Sequence, residues 1–219
     1  NRGPQGLPGA DGIPTDAAVA QLVGIPSATK TALDVGYMRV GTIVVNVKDL
    51  GAKGDGATDD TTAIQAALNA GDVIFFPAGT YIVSAELKVP SYTAVTGAGM
   101  DVSIIRMKDG TDRALNVFTN ASNTRAPRFN YDEKIRIADL TVDGNYTGRV
   151  TTSVPWEGNG CGIMLSAVRD SIVERVKVVG GPLHCFAVDA SWLPSESTSA
   201  VDFYAESPSY NVTIRECIG

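Results

Sequence analysis

Five carboxylates in the second half of the chain, Asp143, Glu157, Asp170, Glu174 and Asp189, stand with Arg175 and the sole histidine, His184, as candidates for acid–base work. Two carboxyl groups flanking a glycosidic bond would hydrolyse it. A base beside a sugar C5, with a cation or arginine steadying the enolate-like charge, would cleave by elimination. No two of these residues have a spacing that marks them as a pair. Asp143, in TVDGN, has the setting of a strand-ending turn, and Asp170 and Glu174 fall where a strand begins and are expected to face solvent. His184 sits near Pro182 at a strand start with no partner in view, which favours a structural role. Spacing assigns no catalytic residue.

Cys161, Cys185 and Cys217 are an odd number without a CxxC pair, so they form neither a disulfide framework nor a zinc site and read as buried thiols. No metal or cofactor is implied. The net charge of −6 argues against nucleic acid and anionic membranes, both of which need clustered Lys and Arg. No apolar run is long enough to span a bilayer, and no secretion signal opens the chain. With Asn1 in place of an initiator Met, and a stop just after a strand-like segment, the chain reads as a fragment.

Three segments must position these groups. Residues 1–14 carry Gly3, Gly6, Gly9 and Gly12 in strict Gly-X-Y register with Pro4, Pro8 and Pro14. Only glycine fits the axis where three polyproline II strands meet, so the register predicts a collagen-like stem and a homotrimer. A flexible linker has no reason to keep that period. Residues 15–41 read as a connector with two short helices, one carrying Val19, Leu22 and Val23 and the other starting at Ser27. Each needs partners to be stable. Residues 42–219 read as stacked strands.

That stack opens with a β-branched strand over residues 42–47, a turn in GAKGDG, and a helix with Ala63, Ile64, Ala67 and Leu68 on one face, ended by Gly71. VIFF and YIVS follow as short strands around a PAGT turn. A helix here suits the plug of a solenoid whose open end exposes apolar side chains and unpaired backbone. Asp55, Asp59 and Asp60 take turn and cap roles, Asp59 being placed to cap the helix. A calcium loop would need glutamate at its twelfth place, which is Ala66.

NVKDLGAKGDGATDDTTAIQAAL followed by VIFFPAGTYIVSAEL resembles the opening of the pectate-lyase-3 family, over residues 45–87. Phage tail spikes, polysaccharide lyases and polygalacturonase relatives share that family. The resemblance implies an all-β chain: a right-handed parallel β-helix with an N-terminal capping helix, homotrimeric in phage spikes. A collagen-like leader joined to it resembles minor tail proteins of phages infecting Gram-positive hosts. It implies a virion tail spike or fibre assembled in the bacterial cytoplasm, contacting other tail proteins and host-surface polysaccharide. The alternative is a depolymerase of capsule or wall glycan. Enzymes of the family carry their active residues on central rungs, of which this chain holds only the first few.

Downstream, IRIADLTVDG, SIVERVKVVG and NVTIRECIG repeat weakly. Ile137, Val173 and Ile214 are equivalent, as are Leu140, Val176 and Cys217, on one face, with GIML and CFAV on a second. Two insertions, residues 145–160 and 190–209, interrupt the rhythm and hold both tryptophans, Trp156 and Trp192, with Tyr146, Phe203 and Tyr204. Sugar C–H faces stack on such rings, making Trp156, Trp192, Tyr146 and Tyr204 the candidate carbohydrate-binding residues. The same rings would serve to cover the solenoid flank or a neighbouring subunit, the commoner use of surface aromatics.

Overall fold

The computed structural model describes residues 42–122, 131–151, 160–182, 184–189 and 209–219. The Gly-X-Y run with Gly3, Gly6, Gly9 and Gly12, the two short helices after it, and most of both insertions, with Trp156, Glu157, Trp192, Phe203 and Tyr204, lie outside the described residues.

The described chain winds in coils over three faces, with one strand on each face in the second and third coils and a single long strand spanning the first two faces in the fourth and fifth. The first coil has β1 (Val44–Asn46), β2 (Asp55–Asp59) and, in the place of a third strand, α1 (Thr61–Ala70). The second has β3 (Val73–Phe76), β4 (Gly79–Val83) and β5 (Leu87–Val89). The third has β6 (Ala94–Gly97), β7 (Ser103–Met107) and β8 (Phe118–Asn120). The fourth has β9 (Asp132–Glu133), β10 (Arg136–Asp143) and β11 (Ile163–Ser166), and the fifth β12 (Val168–Val179) and β13 (Phe186–Asp189). β14 (Tyr210–Arg215) opens a sixth. Every pairing among them is parallel, the pattern of an all-β, curled sheet forming part of a β-helix.

Side chains that alternate inward meet the equivalent residue one coil away, and these ladders are the core. Ile74, Val95, Ile137, Val173 and Ile214 stack on the first face. Tyr81, Ile105, Val142 and Val178 stack on the second. Leu87, Phe118, Ile163 and Phe186 stack on the third. Apart from Ile214 and Phe186 in the outermost coils, all are buried. Removing one large member, as in Phe118→Ala, would cost about 3–5 kcal/mol in lost burial and cavity formation.

The repeats IRIADLTVDG and SIVERVKVVG were expected to occupy one face; they occupy two. β10 and β12 run unbroken through a corner where Asp139 and Arg175 take φ of +59° and +50°, with Glu216 at +54° in the next coil. Asn and Asp tolerate this left-handed region better than bulkier residues, so the arginine and glutamate need compensation. Arg175 pairs with Asp139 at 2.6 Å and with Glu216 at 3.8 Å, linking the three left-handed residues of this corner.

The first coil also differs from expectation. β1 is shorter than residues 42–47 and passes into a 3-10 turn, Val47–Leu50, and GAKGDG turns only as far as Gly54 before β2 begins. Gly54, at φ +62°, has no room for a side chain, since a Cβ would stand 2.7 Å from Tyr81 Cε1. The Asp60 carboxylate secures this turn, accepting from the amides of Lys53 (2.7 Å) and Gly54 (2.9 Å), and makes no cap bond to α1. Asp59 sits where it can receive the Thr61 amide at 3.2 Å. Asp55, exposed, folds back on its own strand, accepting from the amides of Thr58 (2.7 Å) and Ala57 (2.9 Å), bonds that hold its carboxyl down to about 2.

α1 buries Ile64, Ala67 and Leu68, an i, i+3, i+4 stripe, against the core. Its polar side chains complete the backbone bonding of the second coil. Gln65 Nε2 donates to Lys88 O at 2.9 Å while its Oε1 accepts the Lys88 amide at 2.8 Å, so one side chain takes the place of a neighbouring strand along β5. Thr61 Oγ1 accepts the Ser84 amide at 2.8 Å.

Candidate functional site

The carboxylates singled out by type are engaged in structure. Asp143 ends β10, accepts the Asn145 amide (2.8 Å) and pairs with Arg106 at 3.1 Å. Asp170 is exposed and accepts from Asn211 Nδ2 at 2.5 Å. Asp189 is the last residue of β13, and its side chain, like Glu157, lies outside what is described. His184 is exposed at the turn into β13, where its carbonyl accepts the Gly162 amide at 3.1 Å. Among the described residues, no cluster of His, Cys, Asp and Glu is arranged to hold a metal ion.

Glu174 departs most from expectation. It was expected to face solvent, yet it is only 4% exposed. Arg136 (2.7 Å), Arg215 (2.6 Å) and Arg175 (3.2 Å), one from each of three adjoining coils, close over it. The Arg215 and Arg136 guanidiniums hold its carboxyl down to about 2. Arg175 also pairs with Asp139 at 2.6 Å, which fixes the two left-handed residues of that corner against each other. A carboxylate enclosed by three guanidiniums is no general acid at neutral pH; it bolts the coils together.

Of the four candidate sugar-binding aromatics, Tyr146 alone is described. It is 46% exposed, with the Arg113 guanidinium 4.3 Å over its ring and Arg113 Nε donating to its carbonyl at 3.2 Å. Behind it the buried Arg149 donates to the carbonyls of Gly144 (3.1 Å), Leu115 (2.8 Å) and Asp112, tying the start of this insertion to the third coil.

A second aromatic surface, not singled out by sequence, lies at the corner where the third face passes into the first. Glu133, Arg169 and Tyr210 stand in register on successive coils, and Tyr92 precedes them, its amide donating to Glu133 O at 2.8 Å. The Tyr92 hydroxyl donates to Glu133 Oε1, and Arg169 donates to Glu133 Oε2 (2.8 Å) and to the Tyr210 hydroxyl (3.2 Å). These donors hold the Glu133 carboxyl below the usual range, the Tyr92 hydroxyl contributing most. Tyr131 meets Tyr210 edge-on at 5.6 Å between ring centres, and Lys134 Nζ sits 5.2 Å over Tyr92. Tyr92 and Tyr210 are 43% and 46% exposed. The signal that would have found them is positional: Tyr92 lies two residues before β6 and Tyr210 begins β14, both at the corner that leads into the first face.

Thr119 and Met164, which alternate with the inward Phe118 and Ile163, are themselves buried.

A parallel solenoid of three faces, begun by a capping helix, is the architecture of the pectate-lyase-like proteins. A profile described as rhamnogalacturonase A/epimerase, pectate lyase-like matches residues 44–168, and the chain belongs to that family. It is 31% identical over 180 residues to the pre-neck appendage protein of Bacillus phage phi29, covering 79% of this chain and 20% of that protein's length. Among solved structures, the N-terminal fragment of bacteriophage phi29 gene product 12 is similar at TM-score 0.64 and 26% identity, over 87% of this chain and 30% of that one. The A-module of the Azotobacter vinelandii mannuronan C-5 epimerase AlgE4 is similar at TM-score 0.60 and 27% identity, over 80% of this chain and 44% of that one. The resemblance to phage tail proteins with a pectate-lyase-like β-helix is thus met by phage appendage relatives as well as by a carbohydrate-modifying enzyme.

Proposed function

We propose that the chain is part of a bacteriophage tail spike or fibre that projects from the virion and recognises a host-surface glycan during adsorption. The similarity to phage pre-neck appendage proteins along most of the chain carries this reading. In it, residues 1–14 form a collagen-like stem, residues 15–41 a trimerising neck and residues 42–219 the first rungs of a β-helix. The winding is right-handed, the hand that parallel crossovers adopt. The stem and neck join three chains and meet other tail proteins in particles assembled in the bacterial cytoplasm. The test is adsorption. Purified protein, pre-incubated with host cells, blocks attachment of the phage that carries it, and removal of envelope polysaccharide from those cells abolishes the block. A monomeric mass for the intact parent protein would remove the trimer from this account.

The similarity to an epimerase module supports a second reading, a depolymerase of host capsule or wall glycan. Glu174 and Asp143, each bound to arginine, argue against these two as its acid–base pair. Release of reducing ends or unsaturated sugars from host polysaccharide by the purified protein would establish it.

A further inference from the structure

The tyrosine corner is built as a contact surface. Glu133, Arg169 and Tyr210 repeat once per coil, at the spacing of about 4.8 Å between adjacent strands, and so form a row roughly 10 Å long parallel to the solenoid axis, extended by Tyr92, which lies one place out of register with its amide on Glu133 O. The rings are already ordered before anything binds: Glu133 holds the Tyr92 hydroxyl, Arg169 holds that of Tyr210, and Tyr131 braces Tyr210 from the side. A surface fixed in this way loses little side-chain freedom on binding. Tyr92 takes a left-handed backbone, φ +63°, which a bulky side chain adopts only at a cost. Lys134, Asp170 and Asn211 are left-handed at the same corner on the following coils, at +56°, +50° and +52°. The four form one bend shared by successive coils, next to Glu133, Arg169 and Tyr210.

We propose that Tyr92, Tyr131 and Tyr210, with Glu133, Lys134 and Arg169 between them, form a docking strip for an uncharged polysaccharide lying along the solenoid axis. The strip deepens, and rests on, the reading of the chain as a glycan-recognising appendage. Tyrosine rings accept the C–H face of a pyranose, and the Glu133 carboxylate and Arg169 guanidinium bond its hydroxyls in both directions. Glu133 is paired with Arg169, and the exposed Asp170 balances Lys134, so the corner carries no net charge to draw an anionic polymer, and the chain's charge of −6 repels one. The strip is narrow and flanked by exposed Asp170 and Asn211, which suits a sugar chain better than the broad apolar centre of a protein interface.

The experiment uses the full chain on a panel of immobilised bacterial polysaccharides, neutral glucans and galactans beside alginate and teichoic acid. The wild type binds at least one neutral polysaccharide, with an affinity that high salt leaves unchanged. Tyr210→Ala and Tyr92→Ala each weaken that binding about tenfold, Tyr210→Phe weakens it less, and Val102→Ala, an exposed apolar residue away from this corner, leaves it as it is. Melting curves for each variant separate loss of binding from loss of fold, and Tyr210→Phe, which keeps the ring, serves where an alanine variant does not fold. Wild-type affinity in both tyrosine-to-alanine variants overturns the strip while glycan recognition stands. Binding only to the anionic polymers, and lost with salt, overturns it as well. Self-association abolished by Tyr210→Ala, with no glycan bound there, would make the corner a subunit interface and overturn it. Failure of the wild type on every polysaccharide removes both the strip and the reading it rests on.

Discussion

Gln65 offers a direct test of how the first coil is closed. Its amide makes two hydrogen bonds to the backbone of Lys88, at 2.9 and 2.8 Å, and a third to Asn69 Oδ1 at 3.1 Å within α1. Gln65→Ala removes all three. Each backbone bond is worth about 0.5–1.5 kcal/mol net, the i, i+4 bond a few tenths, and alanine returns a few tenths through its helix propensity. The sum is a loss of about 1–3 kcal/mol, which for a protein of this size lowers the melting temperature by roughly 2–12 °C. Gln65→Glu keeps the acceptor for the Lys88 amide but sets a carboxylate against the Lys88 carbonyl. It costs at least as much at neutral pH and recovers part of the loss once the carboxyl protonates and can donate again. Urea and thermal unfolding, followed by far-UV circular dichroism at neutral and acidic pH, measure both. If Gln65→Ala unfolds with the wild-type midpoint, water replaces the amide on β5 without cost and the strand-substitute argument fails.

Other outcomes follow from the same geometry. Glu174 has its carboxyl held at about 2, below its ordinary 4.5, so the stability it contributes is complete above pH 4.5 and drains away as the pH falls toward 2. Glu174→Gln should therefore melt lower than wild type at neutral pH, with the difference shrinking across that acid window; a constant difference would contradict the ion-pair account. Gly54→Ala, which places a methyl group against Tyr81 at a left-handed position, should cost more than about 1 kcal/mol in urea unfolding. Cys185 and Cys217 are half-buried and Cys161 fully buried, so Ellman's reagent should react with the first two well before Cys161 in the folded protein.

The core was legible in the sequence because inward positions must be apolar on every coil. VIFF is β3, and the equivalences of Ile137 with Val173 and of Ile163 with Phe186 are registered pairs. The corner within β10 and β12 was not legible, because turns are read from Gly and Pro, and here the bending residues are Asp139 and Arg175. Glu174 was misplaced for a related reason. Sequence shows a charged residue on an outward position, while the arginines that bury it come from coils 38 and 41 residues away. The tyrosine corner escaped notice because its members are brought together only by coil stacking. Attention to the insertions found Tyr146, and the other three candidates lie outside the described residues.

The devices of the first coil act together on what the solenoid can pair with. Along β2 the amides of Ala57 and Thr58 are taken by the Asp55 carboxylate, the register of β2 against β4 slips between Asp55 and Asp59, and β5 is occupied by Gln65. A foreign strand arriving at this side finds donors already spent and spacing that does not match its own. The first coil is therefore blunted against strand addition along β2 and β5, where an added strand would have to displace bonds the chain already makes with itself.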